Sequence, residues 1–462
     1  MAMGKRKRRR QGRLWIEAER LAEGPAHPFY RRLNKVLDRE GFDDFVESVC
    51  ERFYAETMGR PSMPPAVYFR LLLIGYFEGI DSERGIAWRV ADSLSLREFL
   101  GYELTEGTPD HSTLSRTRRL IDLEAHQDVF AWVLRVLARR DLVSGKSLGI
   151  DATTLEANAA LRSIVRRDSE EGYREFLEGL AKASGIETPT RRDLVEIDRN
   201  RRGKGSNKEW KHPHDPDARI TKMKDGRTHL GHKAEHAVDL DTGAVLGVTV
   251  QPADLGDTQS FEATVEAAMD GLDEILEDEE AAAKLSNQAF SDIVADKGYH
   301  SNAVVTGRRR LGIRTYIPEP NRGRRNWKNK SEEKAAVYAN RRRTRGPRGK
   351  RLWVRHRERT ERSFSHCYDT SGLRRTHLRG HGNIHKRQLV HTAAFNLGLV
   401  MRQMLGVGTP RGLQGLRARW KGILRRLEAL LRPRQLLSDA LATWRARFAP
   451  FAPAAEVCAV AA

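Results

Sequence analysis

Three acidic residues, far apart in the chain, stand where carboxylates can do chemistry. In SDIVADKGYHS, the apolar run Ile293–Ala295 is too short for a helix and is bounded by polar residues and a glycine. It reads as a strand buried on both faces, with Asp296 at its carboxyl end. In SLGIDATTLEA, Leu148 and Ile150 alternate with Gly149 and Asp151, the period of two that marks another strand. Open α/β sheets expose their ligand sites at the carboxyl ends of strands. An acid there also serves as a plain cap of a turn or helix, and that role stays open for either residue taken alone.

The third carboxylate lies in WVRHRERTERSFSHCY. A helical reading puts Val354, Glu361, Phe364 and Tyr368 on one stripe, so Glu361 is expected to face the sheet, with Glu358 off the stripe among arginines. A carboxylate on a buried face is costly unless it is neutralised. A metal ion would do so, and an ion pair with an arginine such as Arg357 is the ordinary alternative. Magnesium is hard and takes a few carboxylates while keeping room for waters and phosphate oxygens. Two such ions ~4 Å apart can activate an attacking oxygen and stabilise a leaving one in a phosphoryl displacement. The expected chemistry is therefore phosphoryl transfer on two divalent ions, Mg2+ or Mn2+, held by Asp151, Asp296 and Glu361.

Composition narrows the partner. The chain has 462 residues, 82 Lys+Arg against 62 Asp+Glu, and a formal net charge of +20. That surplus points to nucleic acid, because the charge is clumped: KRKRRR fills positions 5–10, and 341–375 holds 13 Lys/Arg against 3 acids. Residues 1–13 read as a basic arm able to touch phosphates. The 3 cysteines, Cys50, Cys367 and Cys458, have no zinc or disulfide spacing. In HPHDPD at 212–217, two imidazoles without a nearby thiol make an incomplete zinc set. QGRLWIEAERL after the basic run lacks a signal-peptide core, and LLLIGYF at 71–77 is far short of a membrane span. A cytoplasmic protein without membrane attachment, associated with the nucleoid when bound to DNA, is expected.

The elements that must position the acids can be read in outline. Residues 14–145 read as helical, with a Pro pair opening PPAVYFRLLLIGYFEG and Gly79 near its end. DSERGIAWRVADS and SLSLREFLG follow as short capped helices, and in PDHSTLSRTRRLI Ser112 is expected as the cap, with Arg116 and Arg119 on one side. Such a series suits either a helix-turn-helix-like DNA-binding module or a plain bundle. From 146 to 405 the order is strand, hairpin (HKAEHAVDLDTGAVLGVTVQ), helix, strand, helix, strand, helix: an α/β domain with a mixed sheet flanked by helices. The stretch 161–228 is interrupted and basic, with one helix in REFLEGLAKA. It is expected to be an insertion or DNA-contacting loop without a core of its own. Residues 406–462 read as a basic helical extension and tail.

Asp151 in GIDATTLEAN, Asp296 in IVADKGYHS and Glu361 in RHRERTERSF resemble the D, D and E signatures of bacterial insertion-sequence DDE transposases with an RNase H-like core. The resemblance extends over DPDARITKMKDGRTHLGHKAEHAVDLDTGAV, LRGHGNIHKRQLVHTAAFNLGLVMR and SMPPAVYFRLLLIGYFEG, roughly residues 30–405. Of a family pattern Tyr-x2-Arg-x3-Glu-x6-Lys the chain keeps Arg357 and Glu361, but Val354 stands in place of Tyr and Tyr368 in place of Lys. The departure bears on phosphate contacts and not on metal ligands, and Lys386 of NIHKR is a candidate substitute cation.

The resemblance implies a metal-dependent transposase that hydrolyses the phosphodiester at the transposon ends and joins the freed 3'-hydroxyl to target DNA. Its partner is double-stranded DNA, terminal repeats and target alike, with at least a dimer in the synaptic complex. Arg357, Lys386, Arg116 and Arg119 are the expected DNA contacts. An RNase H-like nuclease without strand transfer, or an inactive transposase-derived DNA-binding protein, would share these residues.

Overall fold

Capping residues set the helices that open the chain. Pro28 starts α1 (Pro28–Arg39), which α2 (Phe42–Cys50) follows, and the Pro64–Pro65 pair starts α3 (Pro65–Glu78). Gly79 ends α3 with a φ of 71°, the left-handed conformation that favours glycine at this position. Ser82 and Ser93 cap α4 (Glu83–Ala91) and α5 (Leu94–Phe99). Asp110, and not Ser112, caps α6 (His111–Leu120): its carboxylate accepts from Ser112 N at 2.8 Å. Asp122 caps α7 (Leu123–Ala138). The structure, a computed structural model, describes residues 27–55, 62–201, 205–223, 225–287, 289–321, 323 and 325–413. The basic arm at 1–13, Cys458 and nearly all of the extension at 406–462 lie outside them.

After β1 (Ser147–Glu156), β2 (Val165–Arg166), α8 (Tyr173–Ala183), α9 (Arg191–Asn200) and β3 (Trp210–Lys211) form the interruption. It is not coreless. Trp210 is buried among Ala157, Ile164, Ala218 and Leu230, with Tyr173 and Phe176 packed against it. One tryptophan with a few aromatics around it supplies what a count of polar letters hides. The interruption is also shorter than expected, since β4 (Arg219–Lys222) already belongs to the main sheet.

Next come β5 (Thr228–Asp239) and β6 (Val245–Pro252), then α10 (Asp257–Leu276), α11 (Glu279–Ala282), β7 (Asp292–Ala295), α12 (Asn302–Arg310), β8 (Arg314–Tyr316), α13 (Ser331–Arg345), α14 (Pro347–Phe364) and α15 (His381–Leu405). The strand order is β4-β5-β1-β7-β8, with β6 also on β5. β1 runs antiparallel to β5 and parallel to β7, which is parallel to β8. This is the mixed sheet that the sequence implies, with α10 on one face and α14 on the other. The helical region does not stand apart from it. α7 packs on α10 and α15, α3 packs on α15, and the described residues up to Gly408 make one compact unit.

Candidate active site

The register of two strands brings two of the acids together. Ile150 pairs with Ala295 in the parallel β1–β7 ladder, so the next residues are Asp151, midway along β1, and Asp296, the first residue beyond β7. Neighbouring strands lie ~4.8 Å apart, and residues in register share a face. By the same alternation the two aspartates share their face with Gly149 and Val294. A Cβ on Gly149 would stand 3.0 Å from His356 of α14, and Val294 packs with Leu352 of α14. The carboxylate pair therefore opens on the face that α14 covers.

The stripe of α14 that meets the sheet is not the apolar one read from the sequence. Leu352, His356, Thr360, Ser363 and Phe364 are buried, whereas Val354 is 66% exposed and Glu361 is exposed as well. The reason is the surface beneath: His356 Nε2 bonds to Ile150 O at 3.0 Å, and Ser363 Oγ lies 3.0 Å from His236 Nδ1. A helix that docks on a glycine, a carbonyl and an imidazole needs polar knobs. Periodicity is also broken after Phe364, where residues Ser365–Thr370 form a π-helical segment that buries Cys367 and Tyr368.

The two flanks of α14 differ in what they meet. One flank of α14 carries Arg355, paired with Asp241, and Arg359, packed over Gly243; both contacts are to the β5–β6 turn beside the start of β1. The opposite flank, with Arg357 and Glu361, is on the side of β7, since β1 lies between β5 and β7. Along the helix axis Glu361 falls between His356, over Ile150, and Ser363, over His236, and His236 is the register partner of Asp151. The pKa of His356 is lowered by burial, opposed by its bond to Ile150 and by the nearby charges of Asp296 and Glu361. The ion pair between Glu361 and Arg357 is absent: no side-chain hydrogen bond or ion pair joins Asp296 or Glu361 to another described residue. Among the described residues no three His, Cys, Asp or Glu side chains are gathered closely enough to hold a metal ion. The fold presents a pair of neighbouring aspartates, and Glu361 is exposed on α14.

A cleft of about 410 Å³ opens beside the pair, lined by Asp151, Asp296, Lys233, Asp257, Gly298 and Tyr299 among others. Tyr299 is buried.

Two family models match the chain. Transposase domain (DUF772) covers residues 17–120, and Transposase DDE domain covers residues 207–397. The chain belongs to the insertion-sequence DDE transposases. No similar curated protein and no similar solved structure was found. Asp296 and Glu361 of this transposase lie inside the DDE match, whereas Asp151 lies between the two matches and its assignment stands on register.

The expected DNA contacts divide. Arg116 and Arg119 are exposed on α6, and among the described residues their guanidinium groups bond only to their own helix, at Ser112 and Ser115. Arg357 is exposed on α14. Lys386 is not presented: its ammonium donates to Ile121 O at 2.7 Å and Arg118 O at 3.1 Å, closing the end of α6. Lys386 is half-buried and the two carbonyls belong to the buried Arg118 and Ile121, so the ammonium is committed inside the protein and is not free to meet a phosphate. In HPHDPD, Asp215 is buried against His232 Nε2 at 3.2 Å and accepts from Gly380 N, which makes the segment a structural latch onto the start of α15. No helix among the described residues is long and apolar enough to cross a membrane.

The sequence reading passed over Lys233, Glu235 and Asp257. The available signal was GHKAEHAVD itself, in which a lysine and a glutamate alternate within a central strand; charges buried there require partners.

Proposed function

We propose that this transposase cuts the phosphodiester at the ends of its element and transfers the freed 3'-hydroxyl to target DNA, with Asp151, Asp296 and Glu361 as the catalytic acids. The observation that supports the reading is the Ile150–Ala295 pairing, after which Asp151, midway along β1, and Asp296, just beyond β7, are the next residues. The donor set suits divalent magnesium or manganese: hard carboxylate oxygens, two of them neighbours, opening on a solvent-accessible cleft. Ions held there would neutralise the scissile phosphate and activate the attacking hydroxyl.

The chain's own residues do the rest. Asp151 and Asp296, neighbours across β1 and the end of β7, would hold the cations, with Glu361 of α14 as the third acid. Arg357, one turn before Glu361, meets a phosphate of the bound strand. In cleavage, water forms a new P–O bond as the P–O3' bond breaks, leaving a 3'-hydroxyl; in transfer, that hydroxyl forms the P–O bond to target DNA as a target P–O3' bond breaks. Each is a displacement at phosphorus, and neither leaves DNA attached to the protein. The exposed arginines of α6 and α13–α14 and the basic interruption track the duplex, and pairing two ends requires at least a dimer.

The test is the Asp296→Asn variant, incubated with magnesium and DNA carrying the element's ends. Nicking should be lost while retention of that DNA in a gel is kept, and the wild type should join a pre-cut end to plasmid DNA. Nicking that survives in Asp296→Asn overturns the site, and nicking without joining leaves a nuclease.

A further inference from the structure

The turn that carries Asp296 is held from beneath by charges with no part in the scheme above. Lys233 of β5 is nearly buried, and its ammonium bonds to Asp257 Oδ1 at 2.6 Å, Glu235 Oε1 at 2.8 Å and Ser260 Oγ at 2.9 Å. Glu235 is fully buried and also accepts from Tyr299 Oη at 2.8 Å, Ser260 Oγ at 2.7 Å and Thr264 Oγ1. Tyr299 closes the 3-10 turn Lys297–Tyr299, for which Asp296 is the N-terminal cap residue.

The other arm of Lys233 reaches the same turn. A Cβ placed on Gly298 would stand 2.1 Å from Asp257 Oδ2, so the carboxylate lies directly against that glycine. The other oxygen of the same carboxylate is the one bound to Lys233. One ammonium thus organises both contacts with the segment just after Asp296, the hydroxyl at Tyr299 and the close approach at Gly298. A buried lysine with two carboxylates is an expensive arrangement for packing alone, since apolar residues of equal volume would serve as well.

We infer that Lys233, Glu235, Asp257 and Tyr299 form a positioning brace that fixes the Asp296 turn for divalent-cation binding, with Gly298 required so that Asp257 can approach. They are positioning residues: they act through Asp296. The inference rests on the proposed role of Asp296. Partners that orient a ligating carboxylate commonly set about 10–100-fold of metal affinity.

The test uses the full chain and Mn2+ alone, with bound ion followed by electron paramagnetic resonance and folding by thermal melting. Tyr299→Phe removes one hydroxyl; Tyr68→Phe removes another buried hydroxyl, 3.1 Å from His126 and remote from the site, as the control for a merely structural loss. Expected are wild-type affinity in Tyr68→Phe, binding weaker by about tenfold or more in Tyr299→Phe and Gly298→Ala at melting temperatures close to the control, and the largest loss in Asp296→Asn. Equal affinity in Tyr299→Phe and Tyr68→Phe, with Asp296→Asn impaired, overturns the brace and leaves the proposed site standing. Mn2+ binding that is absent from wild type or unchanged in Asp296→Asn overturns the role of Asp296, and the brace with it.

Discussion

Acidification tests the seam between the sheet and the helix that carries Glu361. His236 of β5, fully buried, is bonded as a neutral ring: Nδ1–H donates to Ser363 Oγ at 3.0 Å, and Nε2 accepts from Tyr368 Oη at 2.8 Å. The Ser363 hydroxyl in turn donates to Thr360 O. Burial lowers the pKa of His236 from 6.5 to about 3, and burial likewise brings His126 to about 3. Both rings stay neutral in the fold and take up protons on unfolding below pH 6.5. The unfolded state then binds more protons, so stability is complete above the ordinary histidine pKa and falls as pH falls toward 3. Each ring withdraws about 2 kcal/mol at pH 5 relative to pH 8, about 4 kcal/mol for the two. Asp128 and Asp239, whose carboxyls burial raises, gain protons first in the fold and offset part of this. Carboxyls held low, such as Glu319 beside Arg341, act only below about pH 4.5, so the window from 6.5 to 5 belongs to the histidines. Urea unfolding followed by near-ultraviolet circular dichroism should show a fall of a few kcal/mol from pH 8 to 5, a large share of the 5–15 kcal/mol typical of a domain. A flat profile down to pH 5, or a His236 ring that titrates near 6.5 in the folded protein by NMR, refutes the reasoning.

Two further tests separate surface from structure. Arg116→Ala and Arg119→Ala should each reduce the slope of log affinity against log salt by about 1 in gel-shift titrations, whereas Lys386→Met should leave that slope alone and lower stability by about 1–3 kcal/mol, because two carbonyls lose their donor. Gly247→Ala should cost about 1–3 kcal/mol in urea unfolding: its Cβ would stand 2.7 Å from Ala268 N and 2.8 Å from Ala267 C, backbone atoms that no rotamer change can move.

Much of this scaffold was legible because it depends on local signals. The strand that contains Asp151, the strand just before Asp296, the hairpin around Gly243, and the caps at Ser82 and Ser93 follow from periodicity and side-chain chemistry. Even the pairing of the two aspartates was open to inference once their strands were neighbours. The orientation of α14 was not, because it depends on what lies across the interface. Val354 was counted as core for being apolar, yet the sheet offers α14 a glycine, a carbonyl and His236, and these select His356, Thr360 and Ser363. Tyr368 does turn inward, but through the π-helical segment, a change of phase that no 3.6-residue pattern contains. The core around Trp210 was hidden for a related reason: its members come from positions 157 to 230 and meet only in three dimensions.

β7 bears an aspartate at each end, and their different treatment says which one is left for chemistry. Asp292, at the amino end, is fully buried and closed off by Arg314 at 2.8 Å and by Arg348; its carboxylate is consumed in holding β8 and α14 to the strand. Asp296, three residues beyond the Ile293 that follows it, is exposed and engages no described side chain, as is Glu361. In a chain with 82 Lys+Arg, leaving two carboxylates without an arginine is not a matter of supply. Pairing Glu361 with Arg357 would relieve the charge but occupy oxygens that a cation needs. Exposure, which contradicts the expectation of a buried Glu361, therefore fits a cutting site better than burial would: a DNA backbone has to reach these oxygens, and only the brace beneath Asp296 has to be dry.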